Sequence, residues 1–267
     1  MTDPDGASTT PARRFGAPLV GLRLALSWLT VLPISGPADI DRSAAGRAMV
    51  ATPLVGLLLG ALMAAVAFAG STIGLGMVVA GGLAVAAHAL ATRGMHIDGL
   101  ADTADGLGSY GPPERARRIM LAGDCGPFGV AAIALVILID AAAIARAVEV
   151  DLLPAIVAAA VIGRLTVVLI CAAPFAPAAP TGFGALVAGT VSRPAAAAWV
   201  VIAAAAASVV IEGRWWQGPI VVVTVAAVVV AVARHAVRRT GGLSGDILGA
   251  AIEIGFVLAM IGLLIGS

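Results

Sequence analysis

Charge is scarce in this sequence of 267 residues: only 12% of positions are Asp, Glu, Lys or Arg, against about 25% in soluble globular domains. Lysine is absent, and all sixteen basic residues are arginine; with alanine, glycine and valine so abundant, this reads as a genomic composition bias. The net charge of +1 excludes the strongly basic face that a nucleic-acid binder needs. The two cysteines, Cys125 and Cys171, make no CxxC or other metal-ligand spacing, which excludes a disulfide framework. The polar opening MTDPDGASTTPA lacks the basic and apolar regions of a secretory signal, so residues 1–14 are expected to be a disordered cytoplasmic tail.

What is present is apolar surface. Hydrophobic residues make up 60% of the chain and mean hydropathy is +1.05, more than a water-soluble fold of this length could bury. A span needs about twenty apolar residues to cross a hydrocarbon core of roughly 30 Å. Seven such runs occur, near 49–69, 72–92, 127–147, 153–173, 195–211, 218–234 and 247–265. The segment 15–32 is apolar but carries Arg23 and is expected to lie in the interface. The expected fold is therefore all-α: a polytopic membrane bundle of about seven transmembrane helices plus an N-terminal interfacial helix, forming one membrane-embedded domain over 15–267. The longest polar stretch, 93–126, is too short to build its own core and reads as a membrane-surface loop with helical pieces.

Arginine sets the expected orientation, since cytoplasmic loops are enriched in basic residues. Arg42 and Arg47, Arg93 to Arg118, Arg193, and Arg238 and Arg239 all fall in loops on one side, which is taken as cytoplasmic. The opposite loops hold only Arg214, beside Trp215 and Trp216, whose indoles suit an interfacial anchor.

The chemistry concentrates in the loops on the arginine-rich side. In RGMHIDGLADTADG (93–106), helical spacings of four and three put Asp98, Asp102 and Asp105 on one face, about 5–6 Å apart at Cβ. Three anions so placed repel one another, and Mg²⁺, a hard ion that takes carboxylate oxygens, water and phosphate, relieves the repulsion; a merely solvated acidic face is the alternative. AGDCGPFG (122–129) adds Asp124, and RRTGGLSGDILG (238–249) adds Asp246. Gly241, Gly242 and Gly245 would let backbone amides approach a phosphate at a helix N-terminus, although ordinary tight turns also explain them. Arg164 and Glu253 stand inside expected spans, where a charge is costly and either serves a site or finds a structural partner; for Arg164 that partner would be Asp140 or Glu253. His96, two residues from Asp98, is a substrate-contact candidate, whereas His88 and His235 read as packing or interface residues. Arg93 adjoins the aspartate motif and is the loop arginine best placed for a diphosphate.

Taken together, LSWLTVLP near the start, TPLVGLLLG at 52–60, RGMHIDGLADTADGLG at 93–108, GDCGPFGV at 123–130 and GGLSGDILGAAIE at 241–253 resemble the cobalamin synthase family. The resemblance covers most of the chain from Ser27 onward, and its HxDGLADxxDG and GGxxGDxxGAxxE patterns are specific. It implies a Mg²⁺-dependent transferase of the bacterial inner membrane with its active site facing the cytoplasm. Such an enzyme joins α-ribazole, or its 5′-phosphate, to adenosylcobinamide-GDP and releases GMP. The implied residues are Asp98, Asp102, Asp105 and Asp246 in catalysis, and Asp98, Asp102, Asp105 and Asp124 at the metal. Arg93, His96, Arg164, Gly241, Gly242, Gly245 and Glu253 are implied at the substrates. A homo-oligomer and a complex with other corrinoid-pathway enzymes are both compatible with it. Two other readings stay open at this point. A CDP-alcohol phosphatidyltransferase also carries an Asp-rich motif, but its Ala-Arg pair after Asp-Gly is missing here; a transporter would gather its ionisable residues at the membrane midplane.

Overall fold

A computed structural model describes residues 17–36 and 39–267, so the tail expected at 1–14 lies outside the described residues. Every regular element among the described residues is a helix. In chain order they are α1 (Ala17–Leu29), α2 (Arg42–Thr72), α3 (Met77–Ala91), α4 (Met95–Gly108), α5 (Pro113–Met120) and α6 (Pro127–Glu149), then α7 (Leu153–Ala172), α8 (Phe183–Val187), α9 (Arg193–Ala207), α10 (Gln217–Thr240) and α11 (Gly245–Leu264). Extended pairing among the described residues is limited to an isolated bridge between Pro177 and Leu243.

Among the described residues five helices, α2, α6, α7, α10 and α11, are long and apolar enough to cross a membrane, which makes this a multi-pass membrane protein. The runs expected at 72–92 and 195–211 appear as helices of 15 residues, α3 and α9. Fifteen residues rise only about 22 Å, short of a hydrocarbon core of roughly 30 Å. In α3 the shortfall has a visible cause: the chain bends by 91° into α4, and only the pair taken together has the length and composition of a sixth span.

The bend is built from local bonds. Arg93 and Gly94 both take positive φ, 57° and 68°. The Gly94 amide bonds to Ala89 O at 2.7 Å and the Thr92 hydroxyl to His88 O at 2.9 Å, so the last carbonyls of α3 are satisfied before the chain turns. Glycine adopts this region freely; Arg93 does so while its guanidinium donates to Trp28 O, at the end of α1, at 2.9 Å. The polar loop expected from 93 onward is thus a helix, α4, laid across the bundle.

Helix α7 runs through the centre of the bundle, with Ala155, Ile156, Ala159, Ala160, Val168 and Ile170 fully buried. In lipid, helices are drawn together by close contact of small residues more than by hydrophobicity, and this bundle is assembled that way. A Cβ at Gly56 of α2 would stand 2.5 Å from Ala160 O of α7, and one at Gly163 of α7 would stand 2.9 Å from Ile252 O of α11. On the far side of α7, α11 also receives α4: a Cβ at Gly99 would stand 2.8 Å from Asp246 O. Two segments nearly 150 residues apart in the chain thus meet backbone to backbone, and both carry aspartates.

Candidate active site

Around the Gly99 contact, α4 offers Asp98 and Asp102, one turn apart, and α11 offers Asp246 in its first turn. Asp102 lies within electrostatic reach of Asp246, Asp98 and Asp105, and Asp246 within reach of Asp98. Asp98 is exposed, while Asp102 and Asp246 are half-buried. The two ion pairs recorded among the described residues, His96 with Glu253 and Arg146 with Glu149, involve none of these three. Three hard oxygen donors carried by two helices, without a cationic partner, have the chemistry that Mg²⁺ takes, whereas among the described residues the group whose ligand atoms lie within 4.8 Å of one another is the buried His88, His96 and Glu253.

Asp105 and Asp124 are placed differently. Asp105 is only 6% exposed, and its carboxylate accepts from the backbone amides of Gly126 at 2.7 Å and Gly129 at 2.9 Å. It therefore caps the first turn of α6, where a carboxylate satisfies orphan N–H groups and faces the positive end of the helix dipole. Asp124 is exposed on the loop before α6 and lines neither cavity described below.

Two cavities meet at Asp246. The inner one, about 400 Å³, has Asp98, Asp246, Arg93, Ser27 and Trp28 in its lining, together with Met49, Thr52, His96, Val167, Gly249 and Ile252 deeper in the bundle. The outer one, about 210 Å³, is lined by Arg117, the 178–185 segment, Thr240, Leu243, Ser244, Gly245 and Asp246. Phe183 belongs to both linings and packs edge to face on Trp28, with ring centroids 5.3 Å apart. The glycines of the 241–245 loop do specific work here. Gly241 ends α10 at φ 79°, and Gly242 presses so close to Ala178 that a Cβ would stand 2.4 Å from its backbone. Gly245 opens α11, whose N-cap is the Ser244 hydroxyl, and lines both cavities.

Behind the inner cavity lies a buried polar cluster. Arg164, 1% exposed, reaches His88 Nε2 at 3.0 Å and lines neither cavity. His96 and Glu253 are equally buried, with Nδ1 and Oε1 3.9 Å apart. His88, expected as a packing residue, is the hydrogen-bond partner of Arg164, a role that neither its sequence neighbours nor its spacing signals. Trp28 and Phe183 were likewise not singled out from sequence, since an aromatic residue in a membrane protein usually marks packing or an interface.

The two acidic roles give opposite stability changes. In EDTA, Asp102→Asn relieves repulsion and is expected to melt at or above the wild-type temperature. Asp105→Ala removes a helix cap and is expected to cost about 1–2 kcal/mol. Thermal unfolding in detergent measures both; a clear loss in Asp102→Asn, or none in Asp105→Ala, contradicts the assignment.

Comparison with known proteins is consistent along the chain. The sequence profile of the family described as Cobalamin-5-phosphate synthase matches residues 21–264. An adenosylcobinamide-GDP ribazoletransferase of Nocardioides sp. is 36% identical over 90% of this chain and 96% of its own length. One from Corynebacterium efficiens is 36% identical over 88% of this chain and 87% of its own. One from Corynebacterium diphtheriae is 38% identical over 66% of this chain and 64% of its own. No solved structure matches.

Proposed function

The chain belongs to the cobalamin-5-phosphate synthase family, and we propose that it transfers the corrinoid phosphoryl group of adenosylcobinamide-GDP to α-ribazole or its 5′-phosphate, at a Mg²⁺ site held by Asp98, Asp102 and Asp246. The observation that carries the site is the meeting of α4 and α11 at Gly99, which puts Asp98 and Asp246 in the cavity linings with Asp102 one turn along α4. Family membership also favours this transferase over the phosphatidyltransferase and transporter readings.

A ribazole hydroxyl forms a new bond to the phosphorus that carries the corrinoid, the bond from that phosphorus to the GMP phosphate breaks, and the hydroxyl proton passes to a base. When bound, Mg²⁺ supplies charge neutralisation on the diphosphate and on the departing GMP. The chain supplies position. Asp246, facing both cavities, stands where nucleophile and diphosphate meet, either as a ligand or as the base. Arg93 at the inner cavity and Arg117 at the outer one bring guanidinium donors to the phosphates from two sides. Asp105 acts at one remove, by fixing the start of α6 against α4. Arg164 and Glu253 serve behind the site, holding His88 and His96.

The natural test is GMP release from adenosylcobinamide-GDP, with and without α-ribazole and Mg²⁺. Wild type is expected to release GMP only with both, and Asp98→Asn or Asp102→Asn to lose at least about 100-fold in turnover, as when one charge-stabilising group is removed. Near-normal turnover in Asp102→Asn would take the motif out of the active site.

The site is further proposed to face the cytoplasm across the bacterial inner membrane, because arginine gathers in the loops on its side. Cysteines introduced at Ser109 and Ser244, in the Cys125→Ser background, are expected to resist an impermeant thiol reagent in intact cells and to react after lysis. Labelling of either one in intact cells reverses the orientation.

A further inference from the structure

The inner cavity has a composition and a size that choose between the two substrates. Its volume of about 400 Å³ lies at the small end of drug-sized sites, which run from about 300 to 1,000 Å³. A nucleoside of one fused bicyclic base fits such a space, whereas a corrinoid carrying a GDP is several-fold too large. Guanine and adenine, the other flat bases carried by the reactants, present donors and acceptors along their edges and would need several buried polar partners. The deep part of the cavity offers few. Met49, Val167 and Ile252 are apolar, and the Thr52 hydroxyl is already directed at Met49 O and Arg164 O, at 2.8 and 3.1 Å. One group there has no hydrogen-bond partner: His96, 3% exposed, with both ring nitrogens unbonded. A buried, unsatisfied imidazole in the lining of a cavity is costly unless a ligand completes it.

Depth agrees with composition. From Asp246 at the rim to Ile252 in the interior is six helical residues, about 9 Å. A benzimidazole base seated against Met49, Val167 and Ile252 would leave its ribose at the rim, where Asp98 and Asp246 stand. Trp28 and Phe183, packed edge to face, provide an aromatic wall beside that opening.

Building on the transferase reading, we infer that the inner cavity is the seat of ribazole and that His96, backed by Glu253, donates a hydrogen bond to the free ring nitrogen of its base. The diphosphate and the corrinoid approach from the outer side, past Arg117. His96 is then a specificity-determining residue: a site whose buried donor has one matching acceptor discriminates against a base lacking that acceptor. A merely apolar slot would accept both.

The experiment compares α-ribazole with the indole riboside, in which that nitrogen is replaced by C–H, by kcat/KM for GMP release. Wild type is expected to prefer α-ribazole by at least about 10-fold, or about 1.4 kcal/mol. His96→Phe is expected to bring the two ribosides within about threefold of each other, and His96→Gln, which keeps an N–H donor, to restore part of the preference. The ratio is internal to each variant, so a lower yield of folded protein does not change it. Val167→Phe, which narrows the cavity, is expected to raise KM for α-ribazole at least about 10-fold and to leave KM for adenosylcobinamide-GDP unchanged. Equal use of both ribosides by wild type, an undiminished preference in His96→Phe, or a rise confined to the corrinoid KM in Val167→Phe overturns the inference. Absence of GMP release with either riboside strikes instead at the transferase reading on which it rests.

Discussion

Helix α11 can bring Asp246 to Asp98 and Asp102 only because α4 lies on it with no side chain between their backbones. Gly99 makes that approach from α4, and Gly249 answers it from α11, where a Cβ would stand 3.2 Å from His96. A single methyl group at Gly99 would meet the Asp246 backbone at 2.8 Å and push the helices apart. The same contact places His96 and Glu253 within 4 Å of one another, at 3.9 Å, behind the carboxylates. The aspartate grouping, the cavity wall and the buried imidazole are therefore consequences of one helix crossing.

That crossing in turn needs the break after α3. Without the bend α4 would not lie across α11, against which it packs at Gly99. The 91° bend lays α4 across the bundle, and Asp105 fixes its far end to the amides of α6. Charge is thereby divided between two tasks. Asp105 accepts from backbone donors of α6, while Asp98, Asp102 and Asp246 stand within electrostatic reach of one another. The proposed Mg²⁺ would relieve a repulsion that packing holds in place.

Much of this was legible in the sequence. Low charge and long apolar runs gave a helical membrane bundle, and spacings of four and three gathered the α4 aspartates on one face. The rest needed three dimensions. Spacing cannot distinguish Asp102, half-buried beside Asp98 and Asp246, from Asp105, turned toward amides 21 and 24 residues further on. Hydropathy over 72–92 looked like a complete span because α3 is uniformly apolar; the turn at Arg93 and Gly94 sits where such a measure sees only a polar boundary. His88 resembled a packing residue because its partner, Arg164, is 76 residues away on another helix. Trp28 and Phe183 are 155 positions apart, and no local pattern joins them.

The central claim, that carboxylates from two distant segments form one cation site, is open to direct measurement. Mn²⁺ takes the same hard oxygen donors as Mg²⁺ and reports its own binding by electron paramagnetic resonance. Titrating Mn²⁺ into the purified protein in detergent, without substrates, is expected to show that Asp102→Asn on α4 and Asp246→Asn on α11 each weaken binding by at least about 10-fold, or about 1.4 kcal/mol. If Asp246→Asn binds Mn²⁺ as tightly as wild type, α11 contributes nothing to the ion and the two-helix site is wrong.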